Sequence, residues 1–152
     1  MNLYFLRHGN ADWPEWTEPD ADRPLTDKGR KKTCRTAKLL RRMKVCPAVI
    51  LSSPLPRAWQ TAEIVAQHLK SELRQECELA PGFRAENLRK ILERAGDHDL
   101  MLVGHEPDFT EVIRALTGAE AKLAKGGFAR IDLATGAVRG RLLWLLPSKV
   151  AR

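Results

Sequence analysis

The chain is poor in cysteine, in aromatic residues and in unbroken apolar runs. Cysteine occurs only at positions 34, 46 and 77. An odd number at such wide spacing builds neither a disulfide framework nor a zinc site. The three are therefore read as small, buried or half-buried side chains in a reducing compartment. No apolar stretch approaches the roughly 20 residues that a membrane-crossing helix needs. The six residues before Arg7 are too few for the apolar region of a signal peptide, and no basic region precedes them. These absences predict a cytoplasmic protein with no membrane partner. Internal repeats and Ser/Gly linkers are missing, as is the Gly-rich phosphate loop ending in Gly-Lys-Ser/Thr. No cysteine is followed by arginine at the spacing of a cysteine-dependent phosphatase. Aspartate and glutamate are absent between Lys28 and Lys44.

What is there fits one globular domain spanning 1–152. The 43% apolar and 30% charged fractions belong to a folded chain, and 152 residues bury enough surface to fold without staples. The net charge of +7 is localised. Nine basic residues fall in 28–44: Lys28, Arg30, Lys31, Lys32, Arg35, Lys38, Arg41, Arg42 and Lys44. The remainder of the chain is close to neutral. Such a segment is a solvated helix face, or a surface for an acidic partner or nucleic acid.

Strand and helix signals alternate. Residues 2–6 read as a short apolar strand, followed by a loop over 10–26 that carries Pro14, Pro19 and Pro24. Thr26 can cap a helix over 27–43, with Ala37, Leu40 and Met43 on its apolar side. A buried strand over 48–51 leads into a helix over 57–69. Residues 75–79 form a weaker strand signal, 87–95 a helix and 99–103 another apolar strand. A helix through Phe109, Val112, Ile113 and Leu116 ends at Gly118. Segments 127–133 and 139–146, joined through 134–138, read as an antiparallel hairpin. The expected fold is α/β: a three-layer sandwich with a mostly parallel central sheet, helices on both faces and a C-terminal antiparallel hairpin.

Three strand ends carry polar clusters: Arg7-His8-Gly9, Ser52-Ser53-Pro54 with Arg57 three residues on, and Gly104-His105-Glu106-Pro107. Open α/β sheets bind ligands beyond the carboxyl ends of their strands. Two arginines and two histidines would meet there, carrying the donors that a phosphoryl group wants and a core would reject.

These blocks resemble the histidine phosphatase (phosphoglycerate mutase-like) superfamily. Leu6-Arg7-His8-Gly9 is similar to its signature, and Leu51-Ser52-Ser53-Pro54-Leu55-Pro56-Arg57-Ala58-Trp59-Gln60-Thr61-Ala62 to its second block. Val103-Gly104-His105-Glu106-Pro107 resembles its late histidine block, and Arg23-Pro24-Leu25-Thr26-Asp27-Lys28-Gly29 its Pro-Leu-Thr turn. The short length and the Arg23-Pro24-Leu25-Thr26 wording resemble the SixA-type phosphohistidine phosphatases. The resemblance implies that His8 attacks phosphorus and is transiently phosphorylated. It implies that Arg7, Arg57 and His105 grip the phosphoryl oxygens, with Arg23, Gly9 and Ser52 binding substrate. No metal and no cofactor is implied, since cationic side chains take the metal's place.

Many members of the superfamily use a carboxylic acid to protonate the leaving oxygen. Glu78, Glu86 and Glu106 are candidates here. An alkoxide needs that proton. A phosphorylated imidazole, protonated on its far nitrogen, departs as neutral imidazole. The expected substrate is therefore a histidine-phosphorylated protein. The alternatives are a small-molecule phosphomonoesterase of the same superfamily, or a module using the 28–44 helix to bind nucleic acid or an acidic partner. Trp13 and Trp16 either line the pocket mouth or pack on the core.

Overall fold

The protein is described as a computed structural model covering residues 1–134 and 139–152. The connection expected through 134–138 lies, from 135 onward, outside the described residues. The elements in order are β1 (Asn2–Arg7), α1 (Asp27–Arg42), β2 (Val49–Ser52), α2 (Pro56–Leu69), β3 (Glu72–Gln75), α3 (Ala85–Ala95), β4 (Leu100–Gly104), α4 (Asp108–Thr117), β5 (Phe128–Leu133) and β6 (Gly140–Leu146). Short 3-10 turns cover Asp20–Asp22, Cys77–Leu79 and Ser148–Val150.

Among the described residues the six strands form one sheet in the order β3-β2-β4-β1-β5-β6. The first four run parallel, β5 pairs antiparallel with β1, and β6 pairs antiparallel with β5. This is the expected α/β sandwich with its C-terminal hairpin. Alternate side chains of each central strand enter opposite cores, as the two-residue period of a strand requires. Leu3, Phe5, Leu100 and Leu102 pack under α3 and α4, where Phe5 meets Phe109 edge-on at 4.9 Å between ring centroids. Tyr4, Leu6, Met101 and Val103 pack under α1 and α2 with Ala37, Leu40, Ala58 and Val65. Each fully buried aliphatic or aromatic side chain stabilises the fold by about 1.5–3 kcal/mol.

The Thr26 cap is formed: its hydroxyl oxygen accepts from the Gly29 N–H at 3.0 Å. Gly29 is required by proximity. A Cβ there would lie 2.1 Å from the Asn10 carbonyl oxygen, so only glycine lets the first turn of α1 lean on the loop after β1.

Three expectations are corrected. The strand expected at 75–79 lies earlier, at Glu72–Gln75, and Cys77–Leu79 is a 3-10 turn. Edge pairing with β2 decides this: Ile50 faces Leu73, Ser52 faces Gln75, and the Glu76 N–H then closes on the Ser52 carbonyl at 2.8 Å. Met43 does not join the core but is 36% exposed, because α1 ends at Arg42 and Lys44 turns the chain through a positive φ of 60°. Cys46 and Cys77 are exposed, and only Cys34 is half-buried.

Candidate active site

β2, β4 and β1 are consecutive in the sheet and parallel, so their carboxyl ends fall side by side on one edge. Register sets the spacing. Arg7 pairs with Gly104 and Ser52 with Val103, which puts His8, His105 and Ser53 one step beyond the ladder. The His8 and His105 ring centroids are 5.4 Å apart. Arg57 joins them from the first turn of α2, which begins at Pro56. Arg23 approaches from the loop that follows β1.

His8 is held on every side. Its N–H donates to the Gly104 carbonyl at 3.1 Å, and its carbonyl accepts from the Gly126 N–H at 2.9 Å. Its Nδ1 lies 2.8 Å from the Gly9 carbonyl. A carbonyl can only accept, so Nδ1 carries the proton and Nε2 keeps its lone pair. Burial lowers the His8 pKa from 6.5 to about 4, and the Arg57, Arg7 and Arg23 charges push the same way against the Gly9 hydrogen bond. The ring is therefore neutral at pH 7. Gly9 itself is fixed: its N–H donates to Thr61 Oγ1 at 3.0 Å, while the Thr61 hydroxyl donates to the Arg57 carbonyl at 2.7 Å. A Cβ on Gly9 would come within 2.7 Å of Thr33 Oγ1.

His105 is 4% exposed, with Nε2 2.8 Å from Ser53 Oγ. Ser53 Oγ also accepts from the Leu55 N–H at 3.2 Å. The His105 pKa falls from 6.5 to about 3, first through burial and then through His8, Arg57 and Arg7. Arg7 donates from one terminal nitrogen to the Leu123 carbonyl at 3.0 Å, and Arg57 to the Asp20 carbonyl at 3.0 Å. Among the described residues, Arg7 Nε, Arg57 Nε and His105 Nδ1 are buried without a hydrogen-bond partner. Three unsatisfied polar atoms around one histidine are costly in an apolar setting. They mark a place where an anion's oxygens would be received.

A chain of ion pairs rims the site. Arg23 Nε donates to Asp20 Oδ1 at 2.9 Å, and Asp20 Oδ2 lies 3.6 Å from Arg57. Arg23 is also 3.6 Å from Asp12, whose other oxygen pairs with Lys125. The Lys125 hydrogen bond holds the Asp12 carboxyl below the usual carboxylate range. Trp13 and Trp16 donate to the Pro24 and Pro19 carbonyls at 2.9 and 3.0 Å, pinning the loop to itself rather than filling the core.

The remaining candidates sit as follows. Ser52 is fully buried and its hydroxyl donates to the Ser53 carbonyl at 2.9 Å, so the serine touching His105 is Ser53. Glu78 accepts from the Asn87 side-chain amide, and Glu86 is exposed in the first turn of α3. Glu106 accepts from the Thr110 N–H at 2.7 Å, from the Thr110 hydroxyl, and from the Leu123 N–H at 3.1 Å. It thereby anchors the segment whose carbonyl receives Arg7. Sequence reasoning passed over Ser53, Thr61, Asp12 and Asp20. The doubled serine before Pro54 was the one available signal for Ser53.

Residues 3–84 match the histidine phosphatase superfamily (branch 1). An uncharacterized protein of Picosynechococcus sp. is 42% identical over 148 residues, covering 91% of this chain and 88% of that one. Phosphoglycerate mutase 1 of Saccharomyces cerevisiae is 37% identical over 71 residues, covering 43% of this chain and 27% of the mutase. Among structures, the protein histidine phosphatase SixA complexed with tungstate superposes with a TM-score of 0.86 at 23% identity, covering 100% of both chains. The chain belongs to the histidine phosphatase superfamily and has the SixA fold. That membership supports phosphatase activity. No helix among the described residues is long and apolar enough to cross a membrane.

Proposed function

We propose that this protein is a metal-independent phosphatase that removes the phosphoryl group from protein phosphohistidine through a phosphorylated His8. The observation that carries this reading is the neutral His8 ring, pinned by Nδ1 to Gly9, beside the unpartnered donors of Arg7, Arg57 and His105. His8 Nε2 attacks phosphorus, the phosphorus–nitrogen bond to the substrate imidazole breaks, and its electron pair stays on that imidazole. With its far nitrogen already protonated, the imidazole leaves neutral. Water then attacks phospho-His8, releasing phosphate and restoring the ring. The intermediate carries its Nδ1 proton against the Gly9 carbonyl, so it has the same chemical form as the substrate and the first transfer is nearly balanced in energy. Arg7 and Arg57 hold the equatorial oxygens. With Ser53 donating to His105 Nε2 while accepting from Leu55, His105 Nδ1 keeps its hydrogen and becomes a third donor, uncharged beside the two cationic arginines.

The carboxylates support this substrate class. Glu106 has its hydrogen bonds committed to α4 and Leu123, Glu78 is engaged by Asn87, and Asp12 is held ionised by Lys125. An ester substrate would need a proton from one of them. The likeness to part of a phosphoglycerate mutase favours that second reading, a small-molecule phosphomonoesterase.

The deciding experiment is dephosphorylation of a histidine-phosphorylated carrier protein in EDTA, with an aryl phosphate as control. Wild type should release phosphate rapidly from the carrier and slowly from the ester, and His8→Ala should lose at least about 10³-fold on the carrier. Fast ester turnover with an inert carrier would replace this reading with the phosphomonoesterase.

A further inference from the structure

A cavity of about 540 Å³ lies beside the catalytic edge, between α1, the segment before β5 and the final 3-10 turn. It shares Arg7 and Gly9 with the site just described but is not lined by His8, Arg57 or His105. Its side-chain charges are all positive: Arg7, Lys32, Lys122 and Lys125, with no carboxylate in its wall. Lys125 is committed to Asp12. Among the described residues, Lys32 and Lys122 have no carboxylate within 4.0 Å. Two unpaired ammonium groups from distant parts of the chain thus share one concavity.

Thr36 supplies an independent observation. It lines the same cavity, is 1% exposed, and its Oγ1 has no hydrogen-bond partner among the described residues. A threonine in a helix ordinarily satisfies its hydroxyl by donating to the carbonyl four residues back. Thr33, one turn earlier on the same helix, does so to Gly29 at 2.7 Å. Thr36 does not. A buried unpaired hydroxyl costs about 1–3 kcal/mol, and valine would fill the same volume without that cost.

We propose that this cavity is a second oxyanion site, receiving a phosphate or carboxylate group through Lys32, Lys122 and the Thr36 hydroxyl. Arg7 belongs both to this cavity's lining and to the site around His8, so the second anion lies next to the reacting phosphoryl group. It is either a group carried by the substrate beside its phosphoryl group or free phosphate. The substrate alternative rests on the catalytic reading of His8; the binding site itself does not.

Calorimetric titration with inorganic phosphate tests the site without requiring turnover. Wild type should bind two phosphates. Arg57→Ala should remove one, and the Lys32→Ala/Lys122→Ala pair should weaken the other by at least about tenfold. Thr36→Val should weaken that same phosphate while leaving the melting temperature unchanged or raised, an opposition that a purely structural threonine would not produce. A single phosphate in wild type, or loss of the same phosphate in both sets of variants, overturns the proposal. So does unaltered phosphate binding in the double lysine variant. The source is then read from kcat/KM on phosphohistidine peptides with and without flanking glutamates. A drop of about tenfold in the double variant on the acidic peptide alone identifies a substrate carboxylate. Equal values on both peptides identify free phosphate. Inactivity of wild type on every peptide, with two phosphates still bound, would remove the phosphatase reading and leave the site.

Discussion

The two edges of the parallel sheet are both polar, yet they are finished in opposite ways. At the amino edge of β1 and β4, the Asp99 carboxylate accepts from the Asn2 N–H at 2.7 Å and from the Asn2 side chain at 3.0 Å. Asn2 Oδ1 accepts from Arg130 at 2.8 Å, the Met1 ammonium donates to the Leu133 carbonyl at 2.8 Å, and the Ala48 N–H donates to the Asp99 carbonyl at 2.8 Å. Donors and acceptors there meet one another. At the carboxyl edge, Arg7, Arg57 and His105 each keep a buried polar atom without a partner among the described residues. Polarity at a strand end is thus no mark of function. The mark is polarity that the protein leaves uncompensated in a place where water is scarce.

That contrast can be broken from either side. The largest effect belongs to Arg57→Ala, which should lower kcat/KM by about 10²–10³-fold, the loss typical of one oxyanion donor. Its melting temperature should change little, because the removed side chain includes an unsatisfied nitrogen; steady-state kinetics with thermal melts checks both. Next comes the response to acid. His8 and His105 titrate at about 4 and about 3 in the folded state, against 6.5 when unperturbed. The unfolded chain therefore binds protons first as pH falls. Stability that is complete above pH 6.5 drains away below it, by up to about 2.7 kcal/mol per pH unit while both rings are protonated only when unfolded. Urea melts between pH 7 and 4 should show this slope, and saturating phosphate should flatten it, since an anion bound as proposed favours the protonated rings. The smallest effect is Asp99→Ala, the opposite-edge counterpart of Arg57→Ala. It should cost about 2 kcal/mol of stability by stranding the Asn2 donors and leave kcat/KM unchanged at a temperature where the variant is folded.

Much of this architecture was legible because pattern and local chemistry agreed. The alternation of β1 and β4 into two cores, the Thr26 cap and the Gly118 stop are short-range statements about neighbouring residues. β3 was misplaced because an edge strand needs few apolar side chains. Leu73 is its one apolar residue, whereas the 75–79 segment merely alternated. The cationic and imidazole cluster was legible because its residues sit where strands stop. Asp12 and Asp20 were not, since a loop of prolines and acids has no period to indicate which carboxylate folds back onto which arginine. Ser53 and Ser52 differ by one step at a strand's end, and only the turn geometry decides which hydroxyl meets His105.

β1 lies in the middle of the sheet, with β4 on one side and β5 on the other, and His8 is clamped from both. The Gly104 carbonyl and the Gly126 N–H that hold it lie about a hundred or more residues downstream. Contacts of such long range form late, after the intervening chain has been ordered. On the ribosome His8 emerges early, but its clamp is incomplete until Gly104 and Gly126 have been made. A chain cut before Gly126 therefore carries the Arg7-His8-Gly9 signature without the geometry that the proposed phosphoryl transfer needs.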